Sequence, residues 1–198
     1  MPIYNLLRHL AQMAVVTVLA LMATLTPVSA QGFSLWPGDW FGNSQAQPAL
    51  PVLFPDHIRP GEIIASFIDR RLYYVYARGR AISYPIATPR PDSQWEGVMK
   101  ISQKRVNPRW IPTPEMRAEN PDLPDYVPGG DARNPLGNRA LYLGTSLYRI
   151  HGTDAPWTIG QPVSKGCIRM YNRDVADLYE RVGVGTKVTA TWKSYSYY

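Results

Sequence analysis

The stretch GEIIASFIDRRLYYVYARGRAISYPI, residues 61–86, decides the fold class. Glu62 to Ile68 and Leu72 to Tyr76 are rich in β-branched and aromatic side chains, and Asp69-Arg70 between them suits a tight turn. Arg78-Gly79 marks the next turn. Beyond it Ile82, Tyr84 and Ile86 alternate with Ala81, Ser83 and Pro85, the period of a half-buried strand. The pattern is a meander of short antiparallel strands.

Towards the C-terminus, Val106 to Pro135 holds seven prolines, with Gly129-Gly130 among them. Proline removes a backbone donor and fixes φ, so this density argues against regular helix or central strand and predicts a long surface excursion. Excursions of this length in compact domains often border a functional cleft. Leu141-Tyr142-Leu143 and Leu147 to Ile150 resume the β pattern around Gly144. One helix stands out, with Asn172 as N-cap, Asp174 in the first turn and Gly183 at its end. Val175, Leu178, Tyr179 and Val182 give it one buried face, and Lys187 to Trp192 reads as a closing strand. The expected architecture is mainly β, a barrel or sandwich with one packed α-helix and a long proline-rich loop. The domain spans 61–193, followed by a short tail, 194–198.

Towards the N-terminus, Gln31 to Pro60 mixes Gly, Pro, Ser, Asn and Gln with scattered aromatics and no period, as in a linker or wrapping arm. Trp36, Trp40 and Phe41 in it suit either a sticky patch or loose packing on the domain. Residues 1–30 read as a secretory signal: Arg8 supplies positive charge, Met13 to Leu25 is apolar apart from Thr17 and Thr24, and Val28-Ser29-Ala30 is a small-residue cleavage site. The run is shorter than the roughly 20 residues that span a bilayer, and an uncleaved N-terminal anchor is the alternative to a cleaved signal. A soluble protein exported to the periplasm or cell envelope is expected, with no stable membrane insertion after cleavage.

The 198 residues are 45% hydrophobic and 18% charged, an ordinary globular balance, with a net charge of +6. Removing the leader takes away Arg8 and no acid, leaving +5. Such a surface favours anionic partners such as cell-wall polymers. No Lys/Arg run is dense enough to argue for nucleic acid.

The chain has a single cysteine, Cys167, so no disulfide can form within it. Its setting is Ser164-Lys165-Gly166-Cys167-Ile168-Arg169-Met170. The nearby helix N-terminus, the charges of Lys165 and Arg169, and a partner histidine would each favour thiolate. Gly166 permits a sharp turn that gathers backbone N–H donors into an oxyanion site. His9 leaves with the signal and His57 falls in the arm, so His151 is the candidate base. Fifteen residues separate it from Cys167. Its ring needs an orienting partner, for which the Gly152 carbonyl or the neighbouring Asp154 is available. A metal site ranks far below a Cys–His pair, because Cys167, His151 and His57 lack close ligand spacing.

His151-Gly152-Thr153 followed by Ser164-x-Gly166-Cys167-Ile168-Arg169-Met170 resembles the signature of the L,D-transpeptidases, the YkuD-type catalytic domain. The likeness runs from about Gly61 to Trp192 and includes the Asn134-Pro135-Leu136-Gly137 turn. The resemblance implies that Cys167 is the nucleophile and His151 the proton acceptor and donor. It further implies that Ser164 and Gly166 shape the loop and that Arg169 stands beside the substrate. Many members carry histidine where this chain has Lys165. The implied reaction is ping-pong acyl transfer on peptidoglycan stem peptides without cofactor: thioester formation at the diaminopimelate–D-Ala bond, then attack by an amine of another stem or of a wall-attached acceptor protein. An L,D-carboxypeptidase with water as acceptor, and an inactive wall-binding module, are the alternatives.

Overall fold

A computed structural model of the chain describes residues 48–196; the expected leader and Trp36, Trp40 and Phe41 lie outside them. Ten strands form one sheet: β1 (Leu50–Leu53), β2 (Ile63–Ser66), β3 (Arg71–Ala77), β4 (Arg80–Pro89), β5 (Gly97–Val106), β6 (Arg139–Leu143), β7 (Arg149–His151), β8 (Pro162–Ser164), β9 (Ile168–Met170) and β10 (Lys187–Thr191). The order β4-β3-β2-β10-β5-β6-β7-β9 returns to β4, which also pairs with β9, so the sheet closes into a barrel. β1 and β8 attach to β4 outside that ring.

Strand β4 makes the closure possible. Residues 80–85 pair with β3, then Ile86 and Ala87 pair with β9, and Thr88 and Pro89 with β8. From Tyr84 onwards it is buried on both faces, where alternation predicted burial of one. Strands that bury both faces read as unbroken apolar runs.

Ile63, Leu72, Ile86, Leu141, Ile150, Ile168 and Val188 form the main core with Val175 and Leu178 of α2 (Asn172–Arg181) and Val182 just beyond its end. That helix contacts β6 and β7, the strands leading to the site. Tyr179, expected on its buried face, is half-buried under the Lys104 ammonium, which lies 4.1 Å from the ring centroid. The same ammonium donates to the carbonyls of Tyr179 and Val182, both at 2.6 Å, and so satisfies the negative end of the helix.

Of linker and wrapping arm, the described last part of 31–60 behaves as an arm: β1 pairs with β4, and Phe54 and Ile58 join Ile64, Tyr73 and Val75 in a second apolar cluster. From the short tail, Tyr195 packs into that cluster, while Ser194 Oγ and the Tyr195 N–H donate to the Asp69 carboxylate at 2.5 and 2.7 Å. One expectation needs correction. The excursion contains a helix, α1 (Pro114–Glu119), despite its prolines. Pro114 opens the helix, where its missing N–H costs nothing, and the Thr113 side chain caps it by accepting from the Met116 N–H at 3.3 Å.

Candidate active site

The site is built at the barrel seam. β7 and β9 run parallel, with Ile150 opposite Ile168 and His151 opposite Arg169. Side chains alternate along a strand and paired residues share a face. Ile150 and Ile168 are fully buried in the core. Arg149, His151, Cys167 and Arg169 therefore share the other face, with Cys167 at the entry to β9.

His151 is 4% exposed, and its Nδ1 lies 2.6 Å from the Gly152 carbonyl. A carbonyl only accepts, so Nδ1 carries the proton and Nε2 keeps its lone pair. Of the two orienting partners considered from sequence, the carbonyl holds the ring. Burial, reinforced by the Arg169 charge, pushes the imidazole down to about 3. It rests neutral.

The Cys167 thiol donates to the Leu147 carbonyl at 3.7 Å. Burial pushes its pKa up, opposed by the Arg149 backbone N–H and guanidinium and by Arg169. The expected enrichment in thiolate is thus overturned. Lys165 turns away to ion-pair with Glu119 of α1, and β9 intervenes before the helix begins. Both partners rest uncharged.

Gly166 has φ +113, and a Cβ there would sit 2.3 Å from Tyr148 Cε1. Its carbonyl accepts from Trp95 Nε1 at 2.8 Å, and the Trp95 ring stacks on Tyr148 with centroids 4.9 Å apart. An aromatic pair therefore fixes the turn from below. Ser164 Oγ donates to the Cys167 carbonyl, closing the loop from the other side. Arg169 donates from Nη1 to Thr158 Oγ1 at 2.8 Å, and its Nε is buried without a partner.

Asn172, expected to cap α2, does something else. Tyr171 occupies the cap position. The Asn172 amide accepts from the Thr153 N–H at 3.0 Å and the Asn138 N–H at 3.3 Å, and donates to the Thr153 carbonyl at 2.8 Å. It fits because Gly137 and Gly152 lack side chains: a Cβ at either would lie 2.1 Å from Asn172 Oδ1. Asn134, fully buried, accepts from the Leu136 N–H and donates to the carbonyls of Pro108 and Pro128, tying the excursion to the same turn. Asn172 drew notice only as a cap, and Arg149, Tyr148 and Trp95 drew none as site residues; the strand alternation through Arg149 and His151 was the one available signal.

Residues 60–189 match the L,D-transpeptidase catalytic domain family, YkuD. A relative in Escherichia coli K12, named Probable L,D-transpeptidase YbiS, is 39% identical over 143 residues, which are 69% of this chain and 46% of that protein. The chain spans about half the length of the curated relatives YbiS and ErfK/SrfK that it matches. Among solved structures, a Brucella melitensis protein described as a Probable carnitine operon oxidoreductase is 42% identical, with a TM-score of 0.50 over 71% of this chain and 91% of that one. The Enterococcus faecium L,D-transpeptidase gives a TM-score of 0.51 at 18% identity, over 68% of this chain and 50% of that one, and so speaks to fold alone. With the match covering both strands of the seam, the chain belongs to the L,D-transpeptidase catalytic domain family.

Proposed function

We propose that the chain is an exported peptidoglycan L,D-transpeptidase that works through a Cys167 thioester. The observation that carries this reading is the parallel β7–β9 pairing, which sets the sole thiol and a buried, tautomer-locked imidazole on one face. As Cys167 attacks the carbonyl of the diaminopimelate–D-Ala bond, His151 Nε2 takes the thiol proton and then delivers it to the departing amine of D-Ala. Because both groups rest neutral, proton transfer accompanies the attack rather than preceding it. The turn at Gly166 supplies the oxyanion donors, and Arg169 faces a substrate carboxylate. An amine from a second stem, or from a wall-attached acceptor protein, then attacks the thioester. The excursion, with Trp110, Tyr126 and Pro128, shields that intermediate from water.

Localisation to the periplasm or cell envelope is part of the proposal. Among the described residues no helix is long and apolar enough to cross a membrane. Mass spectrometry of products from purified protein, stem tetrapeptide and acceptor amine tests the reading. Cross-linked dimers or exchange products are expected, with a Cys167 acyl-enzyme absent from Cys167→Ala. Tripeptide alone, with abundant acceptor, would make it an L,D-carboxypeptidase, and no acyl-enzyme would make it a binding module.

A further inference from the structure

Beside the seam lies a cavity of about 440 Å³ lined by Arg105, Arg109, Trp110, Tyr142 and Arg149. The Arg105 and Arg149 guanidiniums lie 5.7 and 5.0 Å from the Tyr142 ring centroid, and that of Arg109 lies 4.8 Å from the Tyr126 centroid. Among the described residues none of the three forms an ion pair with a carboxylate. Aromatic faces hold them instead, leaving guanidinium donors unused; the Arg149 Nε is buried with no partner at all. Three like charges around one hollow repel unless an anion joins them. Arg149 also borders the nucleophile, since the Leu147 carbonyl accepts from both Arg149 Nη1, at 3.0 Å, and the Cys167 thiol.

We propose that this arginine hollow is an anion subsite that takes the side-chain carboxylate of the diaminopimelate residue whose carbonyl Cys167 attacks. The inference rests on the transpeptidase reading. Because Arg149 shares the Leu147 carbonyl with the thiol and also lines the hollow, the hollow borders the position of the carbonyl that Cys167 attacks. Arg105 and Arg109 then offer the planar, bidentate donors that fit a carboxylate. The bound charge also offsets the field that Arg149 exerts on His151, so docking eases protonation of the base.

The test compares tetrapeptides carrying a free or an amidated diaminopimelate side-chain carboxylate. Binding is read by titration calorimetry on Cys167→Ala protein, and acylation by intact mass on protein that retains Cys167. Amidation should weaken binding about 10- to 100-fold, the scale of a charge-assisted hydrogen bond. In the Arg105→Gln/Arg109→Gln variant the preference should shrink to about 2-fold or less on the same scale. Equal binding of both peptides, or a preference that survives the double substitution, overturns the proposal. So does sedimentation with phosphatidylglycerol vesicles that the double variant loses while peptide preference is unchanged, since the anion would then be a lipid phosphate. A binding preference without any acylation supports the subsite while sinking the transpeptidase reading.

Discussion

Acidification should destabilise this protein well above the range where carboxylates titrate, and His151 is the cause. Its imidazole stands at about 3 in the folded chain against 6.5 when free. Between those values the unfolded state holds a proton that the folded state refuses, so stability rises with pH across the window. The contribution is fully present above 6.5 and is lost as pH falls towards 3. Traversing the whole gap amounts to about 5 kcal/mol, of which about 2 kcal/mol is gone by pH 5. For a domain of this size that corresponds to a fall in Tm of about 4–8 °C. Depressed carboxylates such as Asp131, at about 2, act only at lower pH. Asp174, raised by burial, acts in the opposite sense. The assay is therefore a difference: thermal unfolding of wild type and His151→Gln from pH 7.5 to 5. Subtraction cancels every group except the imidazole. Parallel Tm curves for the two proteins would refute the reasoning, because a ring exposed to solvent in the native state would take up its proton without cost.

Gly166→Ala should lower stability by about 2–4 kcal/mol, combining left-handed backbone strain with a methyl driven into the Tyr148 ring, and Cys167 acylation should fall with it; chemical denaturation checks the first and intact mass the second. Asn172→Ala should cost about 1–3 kcal/mol in stability, since it orphans the Thr153 and Asn138 N–H groups, yet reduce acylation of the folded fraction at least about 10-fold by loosening the turn beneath His151. Comparing acylation rates per folded molecule separates the two effects.

Strands with strong periodicity were legible. The β2–β3–β4 meander, β6 and β10 follow from apolar and aromatic runs between turn residues, as does α2 from its 3.6-residue spacing. β5 was missed because its Lys100, Gln103, Lys104 and Arg105 hide the alternation: one face is solvated and the burial pattern is weak. β8 and β9, three residues each, are too short to carry a period and exist through pairing with β4 and β7. Within the site, Cys167 and His151 stood out by residue type, and the Gly152 carbonyl by chain adjacency. The bracing of Asn172 between two glycines depends on segments 19 and 34 residues away and leaves no local mark. Nor does the net pull on the thiol, where flanking charges suggested thiolate and burial outweighed them.

The strand that begins directly after the nucleophile is also the stave that shuts the barrel. β9 holds β7 by the pairs Ile150–Ile168 and His151–Arg169, and β4 by Ile86–Met170 and Ala87–Arg169. Until that stave is seated, thiol and imidazole sit on separate segments that nothing pairs directly. The unfolded chain is therefore chemically disarmed, and the pairing that closes the barrel is also the one that arms it.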